Sequence, residues 1–145
     1  MTRAGSTRHE FVFQPRAIVY EGSVTPEDVV RNFCQAVERA NVQELAAFFT
    51  EDAVYHNIPI APVTGRAAIE ATLAQFITPG TRVEFELKGI AARGALVLTE
   101  RVDRFEMGGK RVEIAVMGAF EVTPAGKISA WRDYFDMQQF TSQLG

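Results

Sequence analysis

Apolar residues recur at helical spacing in the first half of the chain and at every second position in the rest. A helix is predicted to begin after Ser23. Thr25 is a good N-cap, Pro26 suits the first helical position, and Asp28, three residues after Thr25, completes a capping-box pattern. Val29, Val30, Phe33, Cys34 and Val37 then mark one stripe. Asn41 ends this helix and caps a second, with Glu44 three residues on and Leu45, Phe48 and Phe49 along it. Residues 52–58 read as extended, and Pro59 and Pro62 end that stretch. A third helix follows Gly65 with Ile69, Leu73 and Phe76 on one side, and Pro79-Gly80 stops it.

From Thr81 the period becomes two. Val83, Phe85 and Leu87 alternate with Glu84, Glu86 and Lys88. Arg93-Gly94 reads as a turn, residues 95–106 as a strand, and Gly108-Gly109 as a hairpin turn. Val112, Ile114, Val116, Phe120 and Val122 share one face of the next strand, opposite Glu113 and Glu121. Pro124-Ala125-Gly126 turns the chain into a last strand at 128–135, and a short helix at 137–142 closes it. Helices first and an antiparallel meander afterwards predict an α+β fold, with helices packed on one face of a curved sheet. Residues 1–24 show no clear period and read as an N-terminal arm, with 11–13 and 18–20 as short apolar pieces that suit an edge strand or docking on a partner subunit. Residues 25–145 are expected to form a single domain.

Composition narrows the function classes. The apolar share of 47% and charged share of 23% are those of a soluble globular chain. The net charge of -3 and the scattered Lys and Arg residues exclude a nucleic-acid footprint. No apolar run approaches the ~18 residues of a membrane span. Nor is there the apolar stretch of a signal peptide, so a cytoplasmic protein is expected. Cys34 is the only cysteine and sits in an apolar stripe, which predicts packing rather than nucleophilic chemistry. With His9 and His56 as the only histidines, the chain offers no histidine metal site. It shows no phosphate loop or nucleotide fingerprint, so no cofactor is expected.

Chemistry enters where alternation breaks. Asp133 lies between Trp131 and Phe135 on one face of the last strand. A lone buried carboxylate there costs several kcal/mol. In the second strand of the meander, Val97, Thr99, Arg101, Asp103 and Phe105 share a face, so Arg101 and Asp103 are flanked by apolar groups. Tyr55 and Asn57, two apart, also face one way, and His56 points away from them. Two readings of these positions stand open. One is a structural Arg101–aspartate ion pair with a satisfied tyrosine; the other is an apolar cavity with catalytic groups on its floor. A structural pair needs only one carboxylate, whereas two aspartates around one arginine leave a proton to share. Walls are expected from Phe76, Phe105, Ile114, Val116, Trp131 and Phe135, each of which serves equally as plain core.

The segments Thr99-Glu100-Arg101-Val102-Asp103 and Trp131-Arg132-Asp133-Tyr134-Phe135-Asp136, with Tyr55-His56-Asn57 upstream, resemble the limonene-1,2-epoxide hydrolase family. That family belongs to the SnoaL-like, nuclear transport factor 2-like superfamily. The resemblance spans about residues 25–140. It implies a cone-shaped, curved, mixed or antiparallel sheet with three to four helices on its concave side. It implies cofactor-free hydrolysis of a lipophilic, terpene-like epoxide to a vicinal diol by one-step acid–base attack of water. Asp133 would be the base, Tyr55 and Asn57 would hold the water, Asp103 would be the acid, and Arg101 would orient both carboxylates. Together with an exposed outer sheet face, it also implies a homodimer. The shorter Gly108-Gly109 hairpin, the dissimilar arm and differing wall positions put substrate choice in doubt, not the chemistry. An isomerase or cyclase of the same fold and a non-catalytic binder of apolar ligands are the alternatives. The hard requirement falls on Asp103: keeping an ordinary Asp protonated at pH 7 costs about 4 kcal/mol.

Overall fold

The computed structural model describes residues 24–145, so all of the expected arm except Val24 lies outside the described residues. The elements run α1 (Pro26–Val37), α2 (Val42–Ala46), β1 (Phe49–Asn57), β2 (Val63–Thr64), α3 (Arg66–Leu73), β3 (Glu84–Arg93), β4 (Leu96–Met107), β5 (Lys110–Val122), β6 (Ile128–Tyr134) and α4 (Met137–Thr141). The strands form one curved sheet in the order β2-β1-β6-β5-β4-β3. The predicted meander is β3 through β6, joined by antiparallel pairing. The addition is β1, which pairs with β6 in parallel and brings Tyr55 and Asn57 beside Trp131 and Asp133. Among the described residues no helix is long and apolar enough to cross a membrane.

Local chemistry accounts for the boundaries. Thr25 and Asp28 exchange side-chain-to-backbone bonds of 3.1 Å each, completing the capping box of α1. Asn41 caps α2 by accepting from the Glu44 N–H. Phe49 was expected on the second helix, but α2 ends at Ala46 and Phe49 opens β1, where it is buried against Phe33. Helical spacing continues through Phe49 by accident, and the tertiary partner decides. Likewise α3 ends at Leu73, so Phe76 lies in the following turn rather than in the helix. β2, two residues long, was not predicted; such a piece carries too little periodicity to read.

The core lies between α1 and the sheet. Val30, Phe33 and Val37 of α1 are fully buried. Phe33 meets Phe49, Phe120 and Trp131 edge-on at centroid distances of 5.5, 6.1 and 5.1 Å. Each such side chain contributes roughly 1.5–3 kcal/mol by burial, against about 0.3–0.5 kcal/mol for an exposed helical ion pair. The apolar seam therefore sets how α1 sits on the sheet, and pairs such as Arg31–Glu27 do not. Cys34 lies in this seam, and burial pushes its thiol up to about 12, which suits its expected packing role. On the outer face of β4, Arg104 bonds Glu84, Glu86 and Glu113, leaving the inner face to Val97, Thr99, Arg101, Asp103 and Phe105.

Candidate active site

The sheet register assembles the polar groups. Asn57 on β1, Asp133 on β6, Gly118 on β5 and Thr99 on β4 form one rung, each paired with the next. Arg101 stands two residues from Thr99 on the same face, opposite Val116. Its side chain reaches across the bare backbone at Gly118. Nε donates to Asp103 Oδ1 (2.9 Å) and Nη2 to Asp103 Oδ2 (2.9 Å). Nη2 also donates to Asp133 Oδ2 (2.8 Å), and Nη1 to Thr99 Oγ1 (3.0 Å). The second oxygen of Asp133 accepts from the Trp131 indole N–H (2.7 Å). Tyr55 donates its phenol to Asn57 Oδ1 (3.1 Å). The guanidinium carbon sits 4.9 Å from the centroid of the Phe85 ring. One guanidinium thus holds two carboxylates, and the side chains of all three are at most 5% exposed.

The charges do not balance if both carboxylates are ionised: a buried excess negative charge remains, which is costly. Burial pushes Asp103 up to about 6; Arg101 opposes this, while the Asp133 charge adds to it. Burial also works against the guanidinium, but the Asp133 and Asp103 carboxylates outweigh it and hold Arg101 well above its ordinary value. Burial, helped by the Asp133 charge, raises the Tyr55 phenol well above its usual range, so it remains a hydrogen-bond donor. The arrangement is a fixed cation, a proton-binding carboxylate beside a second carboxylate, and two neutral polar groups next to them.

Above this floor lies a cavity of about 230 Å³. Tyr55, Asn57, Asp103 and Asp133 line it, as do the expected wall residues Phe76, Phe105, Ile114, Val116 and Phe135. Trp131 was expected in the wall and is not there. It is fully buried behind Asp133, stacked on Tyr55 at 4.0 Å and on Phe120 at 5.5 Å. Strand alternation gives the face of a residue, not its depth. His56 lies off this set, with Nε2 2.9 Å from the Ile60 carbonyl. Gly118, Thr99 as a ligand of Arg101, and the walls Met107, Met137 and Phe140 join the site without being among the residues expected from the sequence. Gly118 had a visible signal: it interrupts the apolar series of β5, and an isolated strand glycine marks close approach of another group.

Comparison with known proteins identifies the family. The model of the limonene-1,2-epoxide hydrolase catalytic domain matches residues 24–145. Epoxide hydrolase EphG of Mycobacterium tuberculosis (strain ATCC 25618 / H37Rv) is 36% identical over 108 residues, covering 74% of this chain and 71% of that protein. The solved structure of an M. tuberculosis LEH-like epoxide hydrolase superposes with a TM-score of 0.70 at 33% identity, over 82% of this chain and 88% of the other. SalBIII, an epoxide hydrolase/cyclase-like enzyme of pyran ring formation in the polyether salinomycin, gives 0.69 at 22% identity over 79% and 92%, a likeness of fold alone. The chain belongs to the limonene-1,2-epoxide hydrolase family and is an epoxide hydrolase.

Proposed function

We propose that the enzyme hydrolyses a compact, lipophilic, terpene-like epoxide to a vicinal diol in one acid–base step without a cofactor. The observation that carries this reading is the Arg101 guanidinium bonded to two carboxylates that both face an apolar cavity. An epoxide oxygen leaves poorly until it is protonated, and water attacks poorly until it loses a proton. The step therefore needs an acid and a base in reach of one small ring. Asp133 takes a proton from a water held by Tyr55 and Asn57. As that oxygen bonds to a ring carbon, the ring C–O bond breaks and Asp103 gives its proton to the departing oxygen. Asp133 ends protonated and Asp103 ionised, and transfer of one proton between them resets the pair. With Asp103 near 6, holding its proton at pH 7 costs about 1.4 kcal/mol, against about 4 kcal/mol for an ordinary Asp.

The cavity of about 230 Å³ is smaller than the ~300–1,000 Å³ of pockets for drug-sized ligands, which favours a compact substrate. Leu98, Met117 and Tyr134 stand exposed on the outer sheet face, and we propose a homodimer joined there. The functional test is diol formation from a panel of terpene and larger lipophilic epoxides in water labelled with heavy oxygen. Wild type is expected to place the label in the diol. Asp103→Asn and Asp133→Asn are each expected to lose about 10²–10⁴ in kcat. Absence of diol above background across the panel, or an unlabelled isomer as the product, refutes the reading.

A further inference from the structure

β6 stops at Tyr134, paired with Met117, while β5 begins at Lys110. The β5 edge before residue 117 therefore has no β6 partner, and α4 takes that place. Gln139 Oε1 accepts from the Ala115 backbone N–H (3.1 Å). Gln143 Oε1 accepts from the Glu113 N–H (2.9 Å), and its Nε2 donates to the Glu113 carbonyl (2.8 Å). The Gln143 amide thus pairs with Glu113 as a residue of a neighbouring strand would, exchanging both bonds. The i,i+4 spacing puts the two glutamines on one side of the turn. Met137 and Phe140 project from the same short helix into the cavity wall. The Phe140 ring lies 6.1 Å from Phe105 and 6.5 Å from Phe135, both wall residues.

No residue of α4 is buried. A five-residue helix has no stability of its own, because nucleation is unfavourable and packing must supply the rest. What ties it down is the pair of glutamines and the partial packing of Phe140 and Leu144. Edge bonds made by side chains 24 and 30 residues away along the chain serve no purpose in the ladder itself. Their consequence is to fix the height of one cavity wall above the carboxylates.

We propose that Gln139 and Gln143 are specificity-determining positioning residues: clamping α4 to the free β5 edge, they set where Met137 and Phe140 stand and so the largest epoxide the cavity admits. The nature of the substrate rests on the epoxide reading above; the wall itself does not. The test compares wild type with the double variant Gln139→Ala/Gln143→Ala. Gln143→Ala alone removes the Glu113 pair and leaves the Gln139–Ala115 bond, providing a milder second variant. Gln138→Ala is the control, since among the described residues the Gln138 side chain makes no hydrogen bond.

Hydrogen exchange at the Glu113 and Ala115 amides is expected to speed up about tenfold in the double variant, and in Gln143→Ala alone at Glu113 more than at Ala115. Displacement of an apolar fluorescent dye by cycloalkanols of rising ring size is expected to move its upper size limit to larger rings, in the same order of variants. The kcat/KM ratio of bulky to small epoxides should rise by about tenfold, mostly through KM, with Gln138→Ala at the wild-type value. Unchanged exchange at the two amides, or faster exchange with an unmoved ring-size limit, overturns the proposal. A moved ring-size limit with no epoxide opened by any form leaves the wall assignment intact and refutes the hydrolase chemistry instead.

Discussion

A methyl group at position 118 tests whether the Arg101 cluster is as tightly fixed as its bonding implies. A Cβ on Gly118 would stand 2.3 Å from Arg101 Nη1, 2.7 Å from Thr99 Oγ1 and 2.9 Å from Asp133 Oδ1. Ordinary contact begins near 3.4 Å, so Nη1 must retreat by about 1 Å. The tip of an arginine is commonly free to move, but this one is bonded to two carboxylates and Thr99 and lies over Phe85. A shift of that size stretches the bond to Asp133 or Thr99 beyond hydrogen-bond range. Overpacking costs about 1–3 kcal/mol and the loss of one charge-assisted bond about 1.5–3 kcal/mol, together roughly 3–5 kcal/mol. For a domain of this size that lowers Tm by roughly 10 °C. Misplacing the acid and base by about 1 Å should also cost on the order of 10² in kcat/KM. Thermal unfolding and diol formation by Gly118→Ala measure both. Adding Thr99→Ala opens a retreat for Nη1 and should recover part of the stability loss. A Gly118→Ala enzyme within about 0.5 kcal/mol and twofold of wild type would show that the cluster is loose and that the reasoning fails.

Trp131→Phe keeps the stacked ring and removes the indole donor to Asp133. Because Trp131 does not line the cavity, kcat should fall by roughly tenfold or more while affinity for a non-reactive apolar ligand stays within about twofold; a lost affinity with unchanged kcat would return Trp131 to the wall. Stability should also carry the signature of Asp103. Its folded value is raised, so between about 4 and 6 the folded state keeps a proton that the unfolded chain has released. Stability therefore falls as pH rises through that window, by about 3 kcal/mol in all. Urea unfolding of wild type against Asp103→Asn isolates this slope, which the variant should lack; parallel pH curves would refute it.

Much of this site was legible in the sequence because charges interrupt an apolar alternation at Arg101, Asp103 and Asp133, which sets each of them among apolar neighbours on one strand face. Their convergence did not follow from it. It depends on β4, β5 and β6 lying in register and on β1 docking in parallel beside β6, pairings between residues far apart in the chain. Trp131 was misplaced because period two fixes a face and leaves depth open. Phe49 was misplaced because its helical spacing to Leu45 is fortuitous and its aromatic partners lie elsewhere. Gly118 had a local signal that was not used, the gap in the β5 series. Gln139 and Gln143 had none: nothing in two exposed-looking glutamines announces a backbone edge, since that edge exists only because β6 ends before β5 does.

The claim on which the rest depends is that a single proton, bound by the Asp103–Asp133 pair under Arg101, is the one delivered to the epoxide. The pH dependence of kcat/KM for wild type and Asp103→Asn measures it directly. The expected profile falls on the basic side as Asp103 loses its proton, with an apparent pKa of about 6, and that limb vanishes in the residual activity of the variant. A wild-type rate that stays level or rises from pH 6 to 9, or the same basic limb in Asp103→Asn, would contradict it.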